Sequence, residues 1–278
     1  MNILEWTAVI CAGSFTAGFL GALTGLGGGV VIIPMLTLLF GVDIRYAIGA
    51  SLVSVIATSS GAAVAYIREG YSNIRIGMLL EVATTIGAVA GAWLAHMIST
   101  GSIAVIFGAV LIYSAFASLR PPREQTSGVK EDTLAARLRL NGSYPSGGRE
   151  VPYTVSHVPG GFGMMFVAGT LSGLLGIGSG AAKVLAMDRI MKIPFKVSTT
   201  TSNFMIGVTA AASAGIYLSR GYIDPGIAMP VMLGVLLGSL AGARVLMRAR
   251  TKWLRRIFSV VIFILAVEMI YNGLKGSI

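Results

Sequence analysis

A chain of 278 residues that is 55% apolar and only 12% charged, with a mean hydropathy of +0.81, has too little charge to keep a soluble surface wet; about a quarter charged residues is usual. Its net charge of +10 does not point to nucleic acid, because the basic residues lie between apolar segments, where the positive-inside rule puts them. A single cysteine, Cys11, excludes an intrachain disulfide and a cysteine metal cluster.

About 30 Å of hydrocarbon needs about 20 helical residues, and apolar stretches near that length follow one another along the chain. The first covers about 5–24; no Lys or Arg precedes it, so it is read as a retained span and not a signal peptide. The run Gly25-Leu26-Gly27-Gly28-Gly29 breaks it. A short apolar piece, 30–41, follows; its length suits a half-helix or re-entrant segment. Spans at 46–67, 75–97 and 101–119 come next. Residues 120–160 are a polar loop with Pro121-Pro122, and Leu138 to Val155 reads as a small hairpin around Ser146-Gly147-Gly148. The plan then recurs: a helix at 161–175, a break at Gly176-Ile177-Gly178-Ser179-Gly180, a short piece at 181–191, and spans at 197–218, 226–247 and 257–273. This divides the chain into a first membrane repeat (1–119), a cytoplasmic polar loop (120–160) and a second membrane repeat (161–278).

At an offset of 151, residues 18–92 align with 169–243 without a gap and share 18 of 75 residues, against about one in ten from shared composition. Gly25, Gly27 and Gly29 meet Gly176, Gly178 and Gly180; Ser51 meets Ser202; Gly87 and Gly91 meet Gly238 and Gly242. An internal duplication follows. Placing the basic loop 248–256 in the cytoplasm and tracing back puts 188–196, 120–160 and 68–75 inside, with 41–46, 97–101, 220–225 and both termini outside. The inside segments then hold 16 Lys and Arg against three outside. Each repeat has five elements, an odd number, so the second copy is inverted. The expected fold is an all-α polytopic membrane protein of two inverted repeats with Gly-broken re-entrant or discontinuous helices, a plan common to secondary transporters.

Unwound backbone in hydrocarbon is tolerated only where it is buried in protein or lines a wet cavity. Each break also opens a half-helix, near Val30 and near Ala181, whose N-terminus presents free N–H groups and a partial positive charge. Two such ends can meet on one anion, which makes Gly27, Gly28, Gly29, Gly178, Ser179 and Gly180 candidate substrate-binding residues. Gly87 with Gly91, and Gly238 with Gly242, are read instead as small-xxx-small pairs that serve helix packing. Lys183, in the second half-helix, is an intramembrane cation and so a candidate anion ligand; snorkelling or a structural partner is its alternative, and its counterpart is Ile32. Ser51, and Thr201, Ser202 and Asn203 in the run from Thr199, offer hydroxyl and amide donors to a substrate or to neighbouring helices. Glu81 and Glu268 are the main intramembrane carboxylates, and His96 sits at an outer helix end. Gly176-x-Gly178-x-x-Ala181 fits a loose dinucleotide pattern, but an apolar helix and not a strand precedes it. No hydrolase triad, zinc spacing or P-loop occurs, so neither catalysis nor a cofactor is expected.

Gly21-Ala-Leu-Thr-Gly-Leu-Gly-Gly-Gly29 followed by Pro34 and then Ile48-Gly-Ala-Ser-Leu52 resembles the first repeat of the TauE/SafE sulfite exporter family. Gly173-Leu-Leu-Gly-Ile-Gly-Ser-Gly180, Thr200-Thr-Ser202 and Gly221-Tyr-Ile-Asp224 resemble its second. The resemblance implies a plasma-membrane exporter or importer of sulfite, sulfonates or related sulfur-containing anions. Ser179 where Gly is usual, Leu185 for the common Pro, and Lys183 depart from the family pattern and point to a subgroup with a different or more strongly bound anion. The expected function is secondary transport of a small anion by alternating access; the alternatives are an anion channel or a non-transporting membrane assembly protein. Expected partners are the anionic substrate with a coupling proton, the lipid bilayer and a second copy in a homodimer.

Overall fold

The computed structural model describes residues 2–24, 28–68, 72–119, 132–146, 149–246 and 251–276. In the first half, α1 (Ile3–Thr24) precedes the break and α2 (Gly29–Pro34) follows it, running directly into a π-helical turn at Met35–Leu39. Three long helices complete this half: α3 (Ile44–Arg68), α4 (Ile74–Met97) and α5 (Thr100–Leu119). The polar region holds a short α6 (Thr133–Arg137) and an antiparallel hairpin of β1 (Gly142–Ser146) and β2 (Arg149–Tyr153), where the sequence places one. The second half repeats the first: α7 (Val158–Leu175), α8 (Gly180–Leu185) with a π-helical turn at Ala186–Ile190, α9 (Phe195–Ser219), α10 (Pro225–Leu246) and α11 (Thr251–Lys275). The last helix starts earlier than hydropathy suggests. Basic residues do not stop a helix, and an intrahelical ladder satisfies the backbone on either side of the hydrocarbon boundary.

The two π-helical turns sit at equivalent positions, yet Pro34 precedes the first and Leu185 the second. The turn is therefore a property of the repeat and does not depend on proline.

Small residues face inward and large ones outward. On α4, Gly77, Ala83, Thr84, Gly87, Ala88, Gly91 and Ala92 are buried, while Met78, Val82, Ile86, Val89, Trp93 and Met97 form an exposed apolar stripe at helical spacing. On α10 the counterparts Met229, Leu233, Leu237 and Leu240 are exposed in the same way. In water such stripes would drive aggregation; against lipid they cost nothing, and the small inner residues let backbones approach. Among the described residues, Ile74–Met97, Val158–Leu175 and Pro225–Gly242 are long and apolar enough to cross a membrane.

The halves interlock. The main packings are α1 on α10, α4 on α7, α3 on α9 and α5 on α11, a set unchanged when the halves are exchanged. The exchange holds at single residues. A Cβ on Gly238 would stand 2.0 Å from Phe15 O, and one on Gly87 2.2 Å from the equivalent Phe166 O. Gly18 meets Val235 O at 2.4 Å, and its equivalent Gly169 meets Thr84 O at 2.1 Å.

The loops gather at two ends in the sets that the charge tracing assigns. At one end, Arg45 donates to Ile98 O (2.9 Å) and Tyr46 packs edge-on against Tyr222, joining 41–46, 97–101 and 220–225. At the other, Asn73 donates to Leu140 O and to the Tyr153 hydroxyl, and Ser156 N donates to Met191 O. That end joins 72–75, the hairpin and 188–196. Asp132 ties it together by accepting from Val158 N and Leu134 N; these two amides hold its carboxyl below the usual carboxylate range.

Candidate functional site

The two breaks lie against each other in the interior. Gly28, Gly29 and Gly176 to Gly180 are all buried. A Cβ on Gly29, at the start of α2, would stand 2.6 Å from Ser51 Oγ, 3.2 Å from Gly176 O and 3.4 Å from Ile177 Cα. Ser51 Oγ donates to Gly176 O (2.8 Å), so a hydroxyl of the first half satisfies a carbonyl freed by the break in the second. Ser202, its counterpart, donates to Gly180 O (3.2 Å). Gly27 lies outside the described residues.

The breaks differ in conformation. Gly28 caps α2 with right-handed helical dihedrals (φ −68°, ψ −26°). Gly178 (φ +68°) and Ser179 (φ +41°) are left-handed, the region only glycine enters without steric penalty. Glycine at position 179 would be relaxed in this conformation. Here the serine hydroxyl donates to Ala168 O (2.6 Å), which offsets part of the strain.

Of the other sequence candidates, Thr201 accepts from Asn73 N (3.0 Å) and so joins α9 to the start of α4. Asn203 is half-buried and makes no side-chain hydrogen bond among the described residues. Glu268 is exposed on α11, away from the breaks, and His96 is exposed at the end of α4.

Lys183 is fully buried, which rules out snorkelling. Its Nζ donates to Thr209 Oγ1. Thr209 Oγ1 donates in turn to Glu81 Oε1 (2.6 Å), which also accepts from Thr85 Oγ1 (3.2 Å). Lys183 Nζ and Glu81 Oε2 are 4.0 Å apart, too far for a hydrogen bond. Glu81 Oε2 is buried without a hydrogen-bond partner among the described residues. Thr209 lies near the middle of α9. Sequence reasoning singled out Lys183 and Glu81 separately and missed both their pairing and Thr209. The available signal was that an intramembrane charge needs a partner of opposite sign.

A shallow surface depression lies at the end of the molecule that carries Arg45, His96 and Arg220. Tyr217 forms part of its lining and donates from its hydroxyl to Leu174 O (3.4 Å), beside the second break. It therefore links the depression to the interior.

Comparison with known proteins places the chain in a family. The family model "Sulfite exporter TauE/SafE" matches residues 10–269. Among similar proteins is the probable membrane transporter protein YunE of Bacillus subtilis, 29% identical over 266 residues, covering 93% of this chain and 95% of that one. Another from the same organism, the probable membrane transporter protein YdhB, is 27% identical over 231 residues, 83% of this chain and 86% of the relative. A probable membrane transporter protein of Methanocaldococcus jannaschii is 22% identical over 271 residues, 92% of each. No solved structure matches. The family match spans nearly the whole chain, both breaks included, and these relatives are named as transporters and not as enzymes: the chain is a helical membrane transporter and belongs to the TauE/SafE sulfite exporter family.

Proposed function

We propose that the chain is a secondary transporter that moves a small sulfur-containing anion, such as sulfite or an organosulfonate, across the plasma membrane by alternating access. The observation that carries the reading is the meeting of the two breaks: the start of α2 abuts Gly176 and Ile177 in a buried site, with α8 starting at Gly180 and Lys183 three residues further on. Helix starts attract anions through unpaired N–H groups and the helix dipole, and Lys183 adds a full positive charge. Ser51 and Ser202 donate to carbonyls of the second break and of its following helix. On opening they donate to substrate oxygens instead, and the other sequence candidates, Gly27 to Gly29, Gly178 to Gly180, Lys183, Thr201 and Asn203, complete the proposed site. Arg45 and Arg220 at the surface depression attract anions to one face before they enter.

The two halves are inverted across the bilayer, α2 and α8 with their π-helical turns are re-entrant, and the end bearing the hairpin is cytoplasmic, with both chain termini outside. This follows the charge bias of the loops and fits the exchange-symmetric packing. Counterflow of labelled sulfite in proteoliposomes tests the reading. The expected result is uptake accelerated several-fold by unlabelled anion on the opposite side. Uptake without acceleration means a channel; no uptake of sulfite, thiosulfate, sulfate or methanesulfonate rejects anion transport.

A further inference from the structure

Lys183, Thr209 and Glu81 have an uncharged double in the other half. At the repeat offset, Lys183 corresponds to Ile32, Thr209 to Thr58 and Glu81 to Met232. The hydroxyl is common to both halves; an aliphatic chain and a thioether replace the two charges. The architecture therefore forms at this position without an ion pair. A buried ion pair is no better for stability than well-packed apolar groups of similar volume, and it is worse when incompletely satisfied.

This pair is incompletely satisfied. An ammonium has three N–H donors; that of Lys183 makes one hydrogen bond among the described residues, to Thr209. The nearer carboxylate oxygen, Oε2, has no hydrogen bond and stands 4.0 Å from Nζ. Two opposite charges thus face each other across a gap with unused hydrogen-bonding capacity on both sides, next to the break that receives substrate. Such an arrangement can exchange partners at lower cost than a bidentate pair.

We infer that Glu81 is a resident counter-anion of Lys183, that the transported anion takes its place, and that protonation of Glu81 releases the ammonium. The inference rests on the anion-transport reading above. The balance is one proton for one singly charged anion. Before binding, Lys183 ammonium faces Glu81 carboxylate. Afterwards the ammonium faces the anion, and Glu81, now a neutral acid, bears the proton that entered with it. Net charge in the buried site is zero in both states, which avoids an unpaired charge in hydrocarbon. Thr209 serves both, because its hydroxyl accepts from Lys183 and can turn to donate to Met205 O (3.0 Å) when Glu81 no longer needs the bond. Among the described residues, no other titratable group on the packed elements takes the place of Glu81. On the packed elements, α7 has none; α4 and α9 otherwise carry Arg75, His96, Lys196 and Tyr217, towards their ends; Asp188 and Arg189 lie in the π-helical turn after α8.

The test uses the full chain in nanodiscs. Thermal stabilisation first selects the tighter-bound singly charged anion, hydrogen sulfite or methanesulfonate; sulfate and thiosulfate, doubly charged, would leave the site one charge negative and should stabilise less. Calorimetric titration in buffers of different ionisation enthalpy then gives the protons taken up per anion, after subtracting the anion's own. The wild type should take up one proton, with affinity falling about tenfold per pH unit where free Glu81 is ionised. Glu81→Gln should bind with no proton uptake and no such slope, and Lys183→Met should bind at least tenfold more weakly than wild type. Binding by the wild type without proton uptake, or unchanged uptake in Glu81→Gln, overturns the inference and leaves anion transport standing. No binding of any of the four anions overturns both. If Glu81→Gln does not fold, the wild-type proton count decides alone.

Discussion

At the residue scale, the second break holds a side chain where glycine would be relaxed. Ser179 is left-handed and buried, with one hydrogen bond to Ala168 O. The strain costs about 1 kcal/mol and the bond is worth about 1 kcal/mol. Ser179→Ala keeps the strain and loses the bond; Ser179→Gly loses both. The alanine variant should therefore melt lower than wild type by about 1 kcal/mol equivalent, with the glycine variant close to wild type, the reverse of their order in a helix interior. Thermal unfolding in one detergent ranks the three; alanine equal to or above glycine would refute the account. The sequence revealed that Ser179 was unusual but not why, because a backbone dihedral is set by how the chain re-enters α8. For the same reason it flagged Lys183 and Glu81 without joining them. Which faces of α4, α8 and α9 meet is decided by helix rotation, which hydropathy does not record in helices apolar all round.

At the element scale, the fold was legible wherever the signal was covalent and local. The Gly-rich runs stop helices, the near-20-residue apolar lengths set the others, and Ser146-Gly147-Gly148 marks the hairpin. The partners of those helices were legible only indirectly, through Gly87, Gly91 and Gly238 as close-approach positions. The structure supplies the contact: Phe166 O against Gly87 and Phe15 O against Gly238. Because these contacts are exchange equivalents, Gly87→Val and Gly238→Val should destabilise by similar amounts, about 1–3 kcal/mol each, by forcing backbones apart. Gly215→Val on α9, where nothing stands within 4 Å of an added Cβ, should change stability by less than about 0.5 kcal/mol. Melting temperatures of the three variants check this, and a large gap between the first two would mean that the halves are not packed equivalently.

At the scale of the whole molecule, the odd number of elements per repeat and the interlocked packing meet in one requirement. If the second half is inverted, equivalent loops lie on opposite faces of the membrane. Gly41 and Lys192 are such a pair: both exposed, both left-handed (φ +64° and +58°), each just after a π-helical turn. In a chain carrying Cys11→Ser, Gly41→Cys should react with a membrane-impermeant maleimide added to intact cells. Lys192→Cys should react only after permeabilisation, since its loop shares an end with the hairpin through Met191. Lys192→Cys keeps a strain that Lys192 already carries, whereas Gly41→Cys adds about 1 kcal/mol; labelling of both variants after permeabilisation controls for folding, so that differences in intact cells report side. Labelling of both from one face would exclude inversion and, with it, the placement of the two breaks at one depth. Labelling of Lys192→Cys alone in intact cells would keep the inversion and reverse the assigned orientation. The depression with Arg45, His96 and Arg220 would then open to the cytoplasm, making it the site where an exported anion is collected.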